Sequence, residues 1–183
     1  MKNINLKLYY FLISFVFSFE VNSEDLFGYK IYSDAKEYFS KNFIDNNKSK
    51  HSESKTGFYI INVTNEISEI NKSPYFEDYL FHIDNDDKIH GILGKQRYRN
   101  LEICKSVAED LKKIVESKYD IQLDSRSKKL PEVEGHILDG ITDNEMRVSI
   151  NCNYYYDDSF TQMWFFIISY DLRLAIYEYY NSM

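Results

Sequence analysis

The sequence predicts a single α+β domain over residues 24–183, in which helices pack on a mainly antiparallel sheet of about five strands. The predicted element order is α-β-β-β-α-β-β-α. Apolar residues recur every three or four positions between 101 and 119, which is typical of a long amphipathic helix. Residues 146–156 alternate between apolar and polar, which indicates a half-buried strand. Strands cluster between helices rather than alternating with them, and this favours an α+β fold.

The N-terminal residues 1–23 have the features of a secretory signal peptide. Two lysines precede the apolar run LYYFLISFVFSF at residues 8–19. Val21 and Ser23 then lie at −3 and −1 of a predicted cut before Glu24, as signal peptidase prefers. As a helix the run would rise about 18 Å, too short for a hydrocarbon core of about 30 Å. We expect an exported protein with no membrane span after cleavage, periplasmic in a Gram-negative source and secreted otherwise.

The first half of the mature chain is predicted to contain one helix and three strands. A short helix is expected over residues 33–43, with Ser33 as its N-cap and apolar side chains on one face. A polar loop follows, and residues 57–64 are β-branched and aromatic, as in a strand. Two further strands are expected over residues 75–84 and 88–99, joined by an Asn-Asp-Asp turn.

The second half begins with the long helix, for which Asn100 is the predicted N-cap. Residues 120–135 contain a proline and a basic run, so they are expected to be largely loop. Residues 161–170 are apolar on both faces, which predicts a central strand that is covered on both sides. A final helix is expected over residues 172–180, with Asp171 as its cap.

Composition excludes several classes of protein. The chain of 183 residues is 44% hydrophobic and 28% charged, with a net charge of −7. This apolar content is too high for intrinsic disorder, and the acidic balance argues against nucleic-acid binding. Two cysteines are too few for a disulfide-dense scaffold or a four-cysteine zinc site.

The two cysteines are expected to form a disulfide. Cys104 lies on the apolar stripe of the long helix, and Cys152 lies on the apolar face of a predicted strand. In an exported protein two such thiols pair, closing a loop of about 49 residues. The alternatives are two free core thiols or a redox-active site. The redox-active site requires a partly exposed thiol with a cationic or histidine neighbour, and neither cysteine has a histidine nearby in sequence.

Two histidines flank the predicted turn between strands. With an odd-numbered loop, His82 would face His90 directly across the two strands. Such a pair, with Asp84 close by, is a weak candidate for a transition-metal site. The alternative is two half-exposed polar side chains on a sheet. We expect no metal and no cofactor.

An alternation of cations is the strongest binding signal. Lys95, Arg97 and Arg99 would line one face of a strand within about 14 Å, while Tyr98 points to the opposite face. In an acidic protein this stripe is a candidate site for an anion such as a phosphate, a carboxylate or an acidic glycan. The alternative is a solvated edge-strand face that discourages aggregation.

No catalytic motif accompanies these features, because the sequence lacks G-x-S-x-G, H-E-x-x-H and G-x-G-x-x-G. Glu132, Glu134 and Asp139 are carboxylates in an expected loop that could in principle act as a glycosidase pair. We therefore expect a non-catalytic binding or envelope-interaction module. A small hydrolase or transferase with a loop-built site and a structural subunit of an envelope complex are the alternatives. The expected partners are an anionic ligand or an envelope protein, and not nucleic acid.

Overall fold

In a computed structural model of the protein, residues 25–48, 56–157 and 160–182 are described. The predicted signal peptide and its cut before Glu24 lie outside these residues. The described residues form a seven-stranded antiparallel sheet, a two-stranded hairpin and three α-helices. The strands in chain order are β1 (Asp25–Leu26), β2 (Tyr29–Lys30), β3 (Tyr59–Asn62), β4 (Asp78–Ile83), β5 (Ile89–Tyr98), β6 (Asp124–Lys129), β7 (Val133–Ile141), β8 (Arg147–Tyr155) and β9 (Phe160–Ile168). The helices are α1 (Lys41–Asn47), α2 (Leu101–Tyr119) and α3 (Tyr170–Asn181).

The last strand in sequence lies in the middle of the large sheet, whose order is β3-β4-β5-β9-β8-β7-β6. Every neighbouring pair in this order is antiparallel. The first-half strands therefore form one side of the sheet and the strands after α2 form the other. β9 joins the two halves by pairing with β5 and β8.

The prediction of about five strands is wrong, because much of a further hairpin lies where a loop was expected. β6 has the sequence DSRSKK, and all six of its residues are exposed. It is an edge strand with neither face buried, so it carries no apolar pattern and pairs only with β7. β1 and β2 were also missed, because each is only two residues long.

The predicted bounds of the long helix are confirmed, whereas the shorter helices begin and end at other residues than predicted. The Asn100 side chain accepts a hydrogen bond from the Ile103 N–H at 2.9 Å, which fixes the start of α2. The predicted helix over residues 33–43 is instead one 3₁₀ turn followed by α1, because the Ser40 side chain caps a new helix there. In the same way Ser169, rather than Asp171, is the N-cap of α3.

The core lies on one face of the sheet, under α2. The buried stripe of α2 packs on the side chains of β8 and β9 that point toward it. On β9 these are Met163, Phe165 and Ile167. The N-terminal segment completes the core with aromatic rings, as where Phe27 meets the Tyr79 ring at 5.0 Å in an edge-to-face contact.

The other face of β9 is not covered as predicted. Trp164 and Phe166 are only half-buried there, although their pattern suggested full burial. Of the helices in the described part of the chain, α3 alone reaches this face, at one end of β9. Leu172 of α3 approaches Gly91 so closely that a Cβ at position 91 would lie 3.0 Å from it. We call the sheet face opposite to α2 the outer face.

The predicted disulfide between Cys104 and Cys152 is present and links α2 to β8, with the two Cα atoms 5.9 Å apart. Both cysteines are fully buried. The bond indicates a non-reducing environment. Among the residues that the structure describes, no helix combines the length and apolar character needed to cross a bilayer.

Candidate functional site

The outer face carries a groove of about 460 Å³, which we call the outer groove. Its volume is within the range of about 300–1,000 Å³ that is usual for small-ligand sites. The strand register arranges its side chains in rows that run across the sheet, successive rows being about 7 Å apart along the strands. The rows are Leu80, Leu93 and Phe166; then Asp78, Lys95, Trp164 and Asn151; then Arg97, Gln162 and Asn153.

One end of the outer groove, next to α3, is apolar. Its walls are aliphatic and aromatic side chains from four neighbouring strands and from α3. They include Ile60, Leu80, Leu93, Phe166 and Ile176. Residues from β3, β4, β5 and β9 meet here only because the sheet brings these strands together. The groove is thus a product of strand order and has no local sequence motif.

Two of the three predicted stripe residues, Lys95 and Arg97, lie on the outer face next to the opposite end, just outside the side chains that line the groove. The Lys95 ammonium lies 5.5 Å from the centre of the Trp164 ring, and the Arg97 guanidinium lies 5.1 Å from the Phe160 ring. Lys95 is also 4.0 Å from Asp78. Arg99 lies beyond the end of β5, so the alternation of the strand does not extend to it. Tyr98 points to the opposite face and packs on the core.

Amide side chains continue this polar end across β9 and β8. The Trp164 Nε1–H donates to Gln162 Oε1 at 2.8 Å, which holds the indole flat along the strand. The Ser149 hydroxyl donates to Asn151 Oδ1 at 2.7 Å, which fixes that amide from below. The polar end therefore offers hydrogen-bonding groups held in position by their neighbours.

A carboxylate bound by two arginines borders the groove on the β7 side. Asp139 accepts from Arg147 Nε and Nη2 at 2.9 and 2.8 Å, and also from Arg126. Burial alone would raise the pKa of Asp139, but the hydrogen bonds from Arg147 and Ser149 and the charges of Arg147 and Arg126 together hold this pKa below its ordinary value. Sequence analysis missed this cluster, since its members lie on three different strands. The paired charges fix Arg147, whose guanidinium packs 5.7 Å from the Phe166 ring.

The predicted pairing of the two histidines is wrong. A β-bulge between His82 and Ile83 shifts the register, so that His82 faces Gly91 instead of His90. His82 lines the outer groove, whereas His90 is buried between the turn and α3. Within the described residues no three His, Cys, Asp or Glu side chains cluster in a way that could hold a metal ion.

His90 instead joins an acid and a hydroxyl in an arrangement that resembles a hydrolase triad. Its Nε2 atom is 3.1 Å from Asp84 Oδ2, and its Nδ1 atom is 3.0 Å from Ser169 Oγ. Ser169, however, is 0% exposed, and its Oγ accepts a hydrogen bond from the Leu172 N–H. A nucleophile must reach its substrate, so these contacts position the start of α3 rather than perform chemistry.

The three candidate carboxylates do not converge either. Asp139 lies on the outer face in its arginine cluster, whereas Glu134 lies an odd number of positions away on β7 and points to the other face. Glu132 precedes the strand. The distribution leaves no pair on one face that could flank a glycosidic bond.

Searches against protein-family models, curated proteins and solved structures return no match for this chain.

Proposed function

We propose that this protein is an exported, non-catalytic binding module whose ligand lies in the outer groove. The observation that carries the proposal is an apolar groove of about 460 Å³ on a sheet face that none of the helices in the described residues covers completely. The solvent face of an antiparallel sheet is normally polar, so the half-buried apolar rings of Trp164 and Phe166 in the middle of this face need a further explanation. A ligand that covers these rings supplies one.

The arrangement of polar groups supports binding over catalysis. The contacts of the buried His90 with Ser169 and with the half-buried Asp84 anchor α3, which forms one wall of the groove. Asp139 is held by two arginines, so its charge is already compensated. These groups shape the groove and leave its apolar walls as the principal contact surface.

Binding of a neutral apolar fluorophore tests the groove directly. N-phenylnaphthylamine accepts excitation energy from tryptophan, and Trp164 is the only tryptophan in the chain. We expect saturable binding of one probe per chain, detected as energy transfer from Trp164. Leu80→Glu places a charge on the groove wall and should weaken probe binding at least tenfold, since burying an unpaired charge is costly.

The matched control is Ile114→Glu, which makes the same chemical change on α2, where Ile114 is 53% exposed. This variant should bind the probe as the unmodified protein does. Melting curves of both variants confirm that they are folded. Absence of saturable binding by the unmodified protein, or equal affinity in Leu80→Glu, would rule out the groove as the binding site.

Export is the second part of the proposal, and it is supported by the apolar leader and by the disulfide. We expect the mature protein to begin at Glu24. N-terminal sequencing of the protein recovered from the exported fraction measures this directly. A retained Met1, or a start beyond Asp25, would show that the predicted cut is misplaced.

A further inference from the structure

We infer that the ligand of the outer groove is an anionic amphiphile, with its apolar body against α3 and its anionic head near Lys95 and Arg97. This inference rests on the proposed function. It adds the chemical class of the ligand and its orientation. Both follow from how polarity changes along the strands that form the groove.

The first step is the apolar half. Leu80, Leu93 and Phe166 form one row, and Ile60 and Ile176 continue the surface toward α3. Leu93 is 5% exposed, so the floor is already shielded from bulk water. An aliphatic or ring-shaped body placed here would gain about 0.8 kcal/mol for each methylene buried.

The second step is the charge at the other half. Two residues further along β5 the row contains Lys95, and the next row contains Arg97. Asp78 is the one carboxylate in these rows, and it is 4.0 Å from Lys95 and nearly half exposed. Among the described residues no carboxylate lies within 4 Å of the Arg97 guanidinium. This end therefore keeps a positive excess in a protein of net charge −7.

The third step concerns the other cation of the groove. Arg147 lies near α3, at the apolar end, but both oxygens of Asp139 bind it. Two of its N–H donors are thereby occupied, so Arg147 offers a head group fewer free donors than Arg97 does, although Asp139 also binds Arg126. The two ends of the groove thus differ in character, and they are joined by the Trp164 ring, which lies beneath the Lys95 ammonium.

A head-group series with a constant apolar body tests the inference. The probes are decanoate, decanol and decylammonium, each titrated against bound N-phenylnaphthylamine at low ionic strength. We expect decanoate to bind about tenfold more tightly than decanol, and decylammonium to bind most weakly. Added salt should reduce the difference, because exposed charges are screened over about 8 Å at physiological strength.

The double variant Lys95→Gln/Arg97→Gln should remove the preference for decanoate and leave the affinity for decanol unchanged. The control, Lys41→Gln/Lys113→Gln, removes the same charge from two exposed lysines away from the groove, and it should keep the preference. Equal binding of all three probes, or a preference that survives in Lys95→Gln/Arg97→Gln, overturns the anionic class while the groove function stands. Failure of both decanol and decanoate to displace the bound probe overturns the amphiphile class, whereas absence of saturable probe binding overturns the proposed function itself.

Discussion

Removing the disulfide between Cys104 and Cys152 is expected to lower the free energy of unfolding by about 4 kcal/mol. The bond joins residues 48 positions apart, and a cross-link of this span restricts the unfolded chain by about that amount. The free energy of unfolding of a small protein is about 5–15 kcal/mol, so this loss is a large part of the total. It should lower the melting temperature by about 10 °C.

Guanidinium denaturation of the Cys104→Ala/Cys152→Ala variant measures this loss. Alanine is suitable because both positions are fully buried and a lone thiol would be open to intermolecular exchange. A reductant should destabilise the unmodified protein and leave the double variant unaffected. Probe binding by the folded double variant should be unchanged, since the bond lies on the face opposite the outer groove. A loss below about 1 kcal/mol would contradict the predicted role of the cross-link.

Local signals in the sequence were sufficient wherever an element depends on its own residues. The stripe of α2 and the cap at Asn100 both lie within one continuous segment, so its bounds were predicted correctly. The cysteines that pair could also be identified, because each lies on the buried face of its own element. Amphipathic periodicity carries this information without any knowledge of the fold.

The predictions were wrong where pairing between strands decides whether a segment is a strand or which residues lie opposite each other. β6 is fully exposed, so its strand character comes from hydrogen bonding to β7 and not from its composition. Whether His82 lies opposite His90 depends on the register between β4 and β5, and one bulge changes that register. Neither the pairing of β6 nor the bulge can be recognised from the residue types alone.

The candidate site was predictable only in part. Alternation along the strand placed Lys95 and Arg97 on one face, as the structure has them, whereas Arg99 lies past the strand end. The apolar half was not predictable, because Leu80 and Phe166 become neighbours only through the order β4-β5-β9. An apolar pattern on both faces of β9 indicates burial on both sides, and a sequence does not distinguish a covering helix from a ligand groove.

Two adjacent phenylalanines on β9 separate the two faces of the sheet in a single comparison. Phe165 is 3% exposed and packs on the Phe76 ring, with the ring centres 5.8 Å apart. Phe165→Ala is expected to lower the free energy of unfolding by about 3–5 kcal/mol, because it leaves a cavity in the core. Phe166 is half-buried on the outer face, so Phe166→Ala should cost about 1 kcal/mol.

The order of the two variants should be the opposite for probe binding, with the larger loss in Phe166→Ala. Phe166→Ala removes part of the groove wall and should weaken N-phenylnaphthylamine binding about tenfold, a change of about 1.4 kcal/mol. Phe165→Ala, measured below its melting temperature, should bind the probe as the unmodified protein does. Denaturation curves and probe titrations of both variants check the two expectations together. Equal losses of stability would mean that both faces of β9 are buried, and an unchanged probe affinity in Phe166→Ala would show that its ring is not part of the ligand site. Because the two residues share a type, a strand and a sequence neighbourhood, the difference between the variants reports only which face each ring occupies.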